Sequence, residues 1–219
     1  RRVGALRVNS ISDLFYISEV LSKQPRPKGK RLLIVTNAGG PGVLATDALI
    51  SGGGELAALS EDTSRILDSF LPPTWSHGNP VDILGDADAD RYNKAMESVV
   101  EDPNADGLLV ILTPQAMTEP TRTAQALVSN TRRSKKPVLA SWMGAEMVAE
   151  GERVLNNANI PTFRYPDVAV RMFNYMWQYN ENLRLLYETP SLASTDISDE
   201  DRQDIANKIQ ECRNAGRTV

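Results

Sequence analysis

Arg31-Leu32-Leu33-Ile34-Val35-Thr36-Asn37-Ala38-Gly39-Gly40-Pro41-Gly42-Val43 reads as a buried strand, a glycine turn and the start of a helix. Its first six residues are a nearly continuous apolar, β-branched run, which suits a strand covered by helices on both faces. Gly107-Leu108-Leu109-Val110-Ile111-Leu112 repeats the pattern, and residues 137–142 make a third strand. Short strands are expected at 55–58 and 161–163, with a short apolar run at 81–84. Helices are expected at 43–51, from Ser60 with Ile66, Leu67 and Phe70 on one side, and at 91–100, 121–131 and 145–156. A helix over 11–21, capped by Asn9 or Ser10, has a stripe of Leu14, Phe15, Ile17, Val20 and Leu21 to bury. A long helix from Pro166 carries Val168, Met172, Phe173, Met176 and Leu183. Strands alternating with helices at this spacing imply the α/β class: a doubly wound, mostly parallel sheet of flavodoxin-like type with helices on both faces.

Composition narrows the function classes. The 219 residues suffice for one good core, or one core with a small appendage. Twenty-eight acidic against twenty-four basic residues give a net charge of −4, so nucleic acid and acidic membranes are not expected partners. No apolar run approaches the ~20 residues that cross a bilayer. One cysteine, Cys212, excludes an internal disulfide and fits a reducing, cytoplasmic compartment. One histidine and one cysteine cannot assemble a His/Cys zinc site within the chain. Arg1-Arg2-Val3-Gly4 shows neither an initiator Met nor a signal-peptide core, so the chain is expected to be an internal piece of a longer polypeptide. Residues 1–30 and 191–219 differ in character from 31–190. The first ends in a charged, proline-bearing linker, and the second is a polar linker followed by a highly charged helix.

The turn from Asn37 to Val43 is the sharpest local feature. Glycines let several backbone N–H groups converge, and a helix end adds partial positive charge, so an anion or phosphate could sit there. Pro41 suits a first helical position, where its missing N–H costs nothing. A tight strand-to-helix turn with no ligand explains the same residues, and both readings stay open. The turn is not a Walker loop, since no Gly-Lys-Ser/Thr follows, and it lacks the Gly-x-Gly-x-x-Gly spacing of a dinucleotide fingerprint. His77, the lone histidine, could carry a phosphoryl group or act as a base, but a loop residue with local hydrogen bonds is the expected role. Asp86, Asp88, Asp90 and Glu97 mimic an EF-hand, yet Arg91 stands where the loop needs glycine, so helix capping is the expected role. Gly144 marks another strand-to-helix junction on the same sheet edge. Trp142 is expected in the core rather than beside a ligand. A phosphoacceptor receiver domain is set aside because Lys135 and Lys136 precede their strand, at the wrong end.

With these residues in hand, the chain resembles the ADP-forming acyl-CoA synthetases (acetate–CoA ligases), relatives of succinyl-CoA synthetase. The carrying segments are Leu33 through Ala45 and Gly78-Asn79-Pro80-Val81-Asp82-Ile83-Leu84-Gly85. Ile111-Leu112-Thr113-Pro114-Gln115-Ala116-Met117-Thr118, Ser141-Trp142-Met143-Gly144 and Asn159-Ile160-Pro161-Thr162 support them. The resemblance implies the second of two flavodoxin-like ligase domains over 31–190, the end of the preceding ligase domain within 1–30, and a lead-in to an ATP-grasp domain within 191–219. It implies ATP, a carboxylic acid and CoA going to ADP, phosphate and an acyl-CoA through a phosphohistidine. The carrier histidine is expected in another domain, since no Ser-His-Thr-Gly loop occurs here. No catalytic residue and no metal ligand is therefore expected within the chain. Asn37, Ala38, Gly39, Gly40, Gly42 and Val43 are the implied phosphate-binding residues, at one of two helix N-termini that face the phosphohistidine. The domain alone is expected to bind no cofactor, with ATP, Mg2+ and CoA used by the parent enzyme. Its implied partners are the CoA-binding, phosphohistidine and ATP-grasp domains, in an oligomer. The same domains also precede the acetyltransferase module of some protein lysine acetyltransferases, which leaves a non-catalytic regulatory role as the alternative.

Overall fold

The computed structural model describes residues 4–132, 134–187 and 199–214. One compact unit ends at Leu186 and the second begins at Tyr187. The first holds α1 (Ile11–Lys23), β1 (Arg31–Thr36), α2 (Gly39–Ser51), β2 (Glu55–Leu56), α3 (Glu61–Phe70), β3 (Val81–Asp82), α4 (Ala89–Val99) and β4 (Gly107–Leu112). It continues with α5 (Pro120–Thr131), β5 (Val138–Trp142), a short 3-10 turn (Ala145–Val148), α6 (Ala149–Asn157), β6 (Thr162–Phe163) and α7 (Pro166–Tyr187). In the second unit α8 (Asp199–Asn214) is a charged helix whose residues 200–214 are exposed. The polar linker 191–198 and the Ala215-Gly216-Arg217-Thr218 segment lie outside the described residues.

The strands pair in parallel in the order β2-β1-β4-β5-β6, an α/β doubly wound sheet. Side-chain alternation sorts the two long strands between two cores. Leu33 and Val35 of β1, with Leu108, Val110 and Leu112 of β4, meet α3, α4, α5 and α6 through Leu67, Met96, Leu127 and Leu155. Leu32 and Ile34, with Leu109 and Ile111, meet α1, α2 and α7 through Ile17, Leu49 and Phe173. Burying every residue of β4 is what its uninterrupted apolar run required.

One edge departs from a simple ladder. β2 pairs with the start of β1 (Arg31↔Glu55, Leu32↔Leu56) and β3 with its end (Val35↔Val81, Thr36↔Asp82). Between these half-strands the Asn79 amide stands in for a strand: its Oδ1 accepts from Ile34 N–H at 3.0 Å. Its Nδ2 donates to the Leu32 and Ala57 carbonyls at 2.8 and 2.9 Å. The Asn79-Pro80 peptide bond is cis.

The α1 face differs from expectation. Ile17 and Val20 are buried and Leu21 packs against the same core, but Leu14 and Phe15 are 51% and 70% exposed. The inward position goes to Asp13 instead, which accepts from Arg171 Nε at 3.1 Å and Tyr175 Oη at 3.0 Å. A buried carboxylate with two charge-suited partners thus sets the rotation of the helix against hydrophobicity alone. Similarly Ile66 is half-exposed while Leu67 takes the core position.

Two carboxylates at the lower end of the sheet tie stability to pH. Burial pushes Asp102 up, but the Thr63 hydroxyl and the Ser60 and Asn104 N–H groups bring it below the usual carboxylate range. Burial likewise raises Asp106, and the Arg31 guanidinium, 2.8 and 3.0 Å away, more than offsets it. Depressed folded-state values mean stabilisation that is complete above the unfolded value of about 3.9 and lost as pH falls through the lower folded values. Urea midpoints measured from pH 6 downward should therefore fall mainly below pH 4, and Asp102→Asn should flatten that fall.

Candidate functional site

β1 and β4 are neighbours in the sheet, yet the chain leaves β1 toward one edge and returns through β4 on the other side. Such a switch point opens a crevice at the carboxyl ends of the strands. The Asn37–Val43 turn lies at this crevice. Ala38, the residue before α2, is extended (φ −147°, ψ 115°) and offers no side-chain cap. Thr36 fixes it locally: the Ala38 N–H donates to Thr36 Oγ1 at 3.0 Å, and that hydroxyl donates to the Ala38 carbonyl at 2.9 Å.

The six residues singled out in sequence divide into two groups. Asn37 is buried, and its amide is spent on β4's continuation: Nδ2 donates to the Thr113 carbonyl at 2.8 Å and Oδ1 accepts the Thr113 N–H at 2.9 Å. Ala38 N–H is held by Thr36, and Gly42 N–H bonds to Ala38 O at 3.3 Å. Val43, the fifth residue of α2, lies past the first-turn donors that a helix leaves open. Gly39 and Gly40 remain as the backbone donors of this turn with no intrahelical partner. The helix also starts four residues earlier than its expected start at Val43, which puts Pro41 at the third position rather than the first. That position still lies in the first turn, so the absent N–H is harmless.

Each glycine has a different reason. A Cβ on Gly42 would press on Thr36 Cγ2 at 3.1 Å and Pro80 at 3.4 Å. One on Gly39 would come within 3.0 Å of Asp82 Oδ2. One on Gly40 would meet nothing within 4 Å, and Gly40 has no positive φ. Glycine in a helix costs about 1 kcal/mol relative to alanine. Nothing inside the described residues accounts for a glycine at position 40.

Asp82 escaped the sequence reading. Register places it beside Thr36, its Oδ1 accepts the Leu84 N–H at 3.0 Å, and its Oδ2 faces Gly39. The signal was its position in the Gly78–Gly85 segment, which reads as loop until β3 is seen to pair with β1.

The other candidates have local explanations. His77 Nδ1 lies 3.0 Å from Asp68 Oδ1 and Nε2 lies 2.9 Å from the Pro73 carbonyl, with Trp75 beside the ring. Both nitrogens are thus engaged within one loop and its neighbouring helix. In the full-length parent that the resemblance implies, we expect His77→Ala to leave phosphoenzyme formation within a few-fold of wild type; loss of acid-labile label from radioactive ATP by a folded variant would show otherwise. Asp88 caps α4 by accepting the Arg91 N–H, Asp86 pairs with Arg91 at 2.5 Å, and Asp90 pairs with Arg122 at 2.8 Å. Trp142 is fully buried, its indole N–H directed at the Pro120 carbonyl at 3.4 Å. Lys136 lies at the start of β5's approach and donates to the Val100 and Asp102 carbonyls, remote from the crevice. Among the described residues no helix is long and apolar enough to cross a membrane, and no cluster of three metal-ligating side chains occurs.

Comparison with known proteins points one way. The Ligase-CoA domain family model matches residues 32–184. The chain is 38% identical over 181 residues to the ADP-forming acetate–CoA ligase I of Archaeoglobus fulgidus, covering 83% of this chain and 25% of that protein. It is 36% identical to the alpha subunit of the ADP-forming acetate–CoA ligase II of Pyrococcus furiosus, covering 81% of this chain and 40% of that one. Among solved structures, the dinucleotide-forming acetyl-coenzyme A synthetase 1 of Candidatus Korarchaeum cryptofilum superimposes with a TM-score of 0.80 at 30% identity. That match covers 84% of this chain and 41% of the other. The same synthetase in complex with phosphate and ADP matches with a TM-score of 0.78 at 31% identity. The chain therefore spans a quarter to two fifths of the length of these relatives.

Proposed function

Because the chain belongs to the Ligase-CoA domain family, we propose that it is a flavodoxin-like ligase domain of an ADP-forming acyl-CoA synthetase. In this reading ATP, a carboxylic acid and CoA become ADP, phosphate and an acyl-CoA, with the phosphoryl group carried on a histidine of another domain. The first turn of α2 supplies one wall of the cleft that holds that phosphoryl group. The observation that carries the assignment is Gly40, a helical glycine at an uncapped N-terminus with open space where a side chain would stand. The Korarchaeum relative's complex with phosphate and ADP supports phosphate as the ligand class.

The chemistry asks little of this domain beyond electrostatics. A phosphoryl group in a cleft screened from water needs donors that are already oriented, and the Gly39 and Gly40 N–H groups meet that need. One helix end contributes about 0.3–2 kcal/mol to an anion. Asp82 beside it opposes this, so the domain alone binds phosphate weakly and depends on a second domain. The CoA-binding, carrier-histidine and ATP-grasp domains are the proposed partners, with Mg2+ accompanying ATP in the parent, an oligomer of the cytoplasm. Residues 1–30 and 191–219 are proposed as the joins to the neighbouring domains.

The test is reconstitution. Incubated with ATP, acetate and CoA, the chain alone should release no ADP above a heat-killed control. Joined to the carrier-histidine, CoA-binding and ATP-grasp domains of a relative, it should support turnover. ADP release by the isolated chain would contradict the reading.

A further inference from the structure

The charged group beside the open turn of α2 is the half-buried Asp82. Its backbone is fixed from two sides. Register pairs it with Thr36, and its N–H donates to Ser76 Oγ at 3.0 Å. The following N–H, of Ile83, bonds to the Thr36 carbonyl at 2.8 Å. The two carboxylate oxygens have different surroundings. Oδ1 accepts the N–H of Leu84, a residue at φ 71°, at 3.0 Å. Oδ2 has no hydrogen-bond or ion-pair partner among the described residues, and it lies 3.0 Å from the point where a Gly39 side chain would begin. The basic side chains of the neighbouring loops are engaged elsewhere. Arg91 is bound to Asp86 and the Ile83 carbonyl, and His77 to Asp68 and the Pro73 carbonyl.

The bond to Leu84 asks only for an acceptor, which asparagine would supply equally well. The negative charge answers to the helix instead. α2 has no acidic residue in its first turn and no side-chain cap, so Asp82 supplies the anion that a helix N-terminus favours. An incoming anion therefore meets a turn whose positive end is already partly compensated. A fully ionised group is repelled by Oδ2. A group that still carries a proton donates a charge-assisted hydrogen bond to Oδ2, while the Gly39 and Gly40 N–H groups hold its other oxygens.

We propose that Asp82 makes this turn selective for a phosphoryl or phosphate group bearing a proton, over a proton-free dianion such as sulfate. The inference rests on the phosphate reading given above and adds to it which form of the ligand is held.

The experiment titrates the 15N-labelled full chain with inorganic phosphate and with sulfate, at constant ionic strength and about pH 6, where carboxylates are ionised. Phosphate is then mainly H2PO4−, and sulfate has no proton to give. Read from the Gly39 and Gly40 amide shifts, the wild-type dissociation constant should be at least about fivefold lower for phosphate than for sulfate. Asp82→Asn keeps an acceptor for the Leu84 N–H but turns a neutral amide toward the turn. It should erase or reverse the preference, chiefly by tightening sulfate. Asp47→Asn removes the same charge from the exposed side of α2, about 12 Å further along the helix axis, and should leave the wild-type preference intact. Should Asp82→Asn fail to fold, the carboxyl carbon of Asp82 in 13C-labelled wild type reads the same contact, and should move with phosphate but not with sulfate. Equal wild-type affinities for the two anions, or a preference that persists in folded Asp82→Asn, would overturn the proposal and leave the phosphate reading in place. Gly39 and Gly40 signals that respond to neither anion, in wild type and Asp82→Asn alike, would remove both.

Discussion

Asn79→Ala should destabilise the domain by about 3–5 kcal/mol, a large share of what a domain of this size has. The loss comes from three backbone groups at once. Ile34 N–H and the carbonyls of Leu32 and Ala57 each lose a partner, and Leu32, Ile34 and Ala57 belong to buried stretches that solvent does not reach. A buried group left unpaired costs roughly 1–3 kcal/mol. Asn79→Asp separates the causes: it keeps an acceptor for Ile34 N–H but turns a carboxylate toward two carbonyls, and should be at least as harmful. Urea unfolding followed by circular dichroism measures both variants. A loss under about 1 kcal/mol for Asn79→Ala would mean that the broken β1 edge is held some other way.

Gly40→Val has its largest effect on chemistry rather than stability. The structure leaves open space at this position and no positive φ, so valine fits the fold. Its helix propensity is slightly better than that of glycine. In a synthetase containing this domain, the added methyls would stand where an incoming phosphoryl group approaches the Gly39 and Gly40 N–H groups. A loss of about 2–4 kcal/mol in the phosphoryl step is expected, comparable to removing an oxyanion donor, or roughly 30- to 1,000-fold in rate. Formation of phosphoenzyme from radioactive ATP reads this directly, while affinity for CoA should stay the same. Gly39→Ala is a useful contrast, because its methyl meets Asp82 rather than open space.

The long central strands were legible because a continuous apolar run has few alternatives once helices flank it. β1 and β4 fall where that run placed them, and their burial is complete but for Arg31. Glycine composition hid the start of α2: Gly39-Gly40-Pro41-Gly42 scores as turn, yet an extended Ala38 held by Thr36 lets the helix begin at Gly39. The α1 face was misjudged because periodicity counts apolar residues and cannot foresee that Asp13 finds Arg171 and Tyr175 some 160 positions away in sequence. For the same reason Asn37 was read as a possible ligand contact, although both ends of its amide belong to Thr113. Asn79 and Asp82 meet partners distant in sequence, and no local pattern announces such pairs.

In the proposed function the first turn of α2 receives a phosphoryl group at Gly39 and Gly40. Titrating the 15N-labelled chain with inorganic phosphate tests it most directly, residue by residue. One helix end predicts weak binding, with dissociation in the range of tens of millimolar or above. Within that range the Gly39 and Gly40 amides should shift more than any others, and Gly40→Val should abolish the effect. Saturable shifts centred elsewhere in the chain, or shifts at this turn that persist unchanged in Gly40→Val, would contradict the assignment.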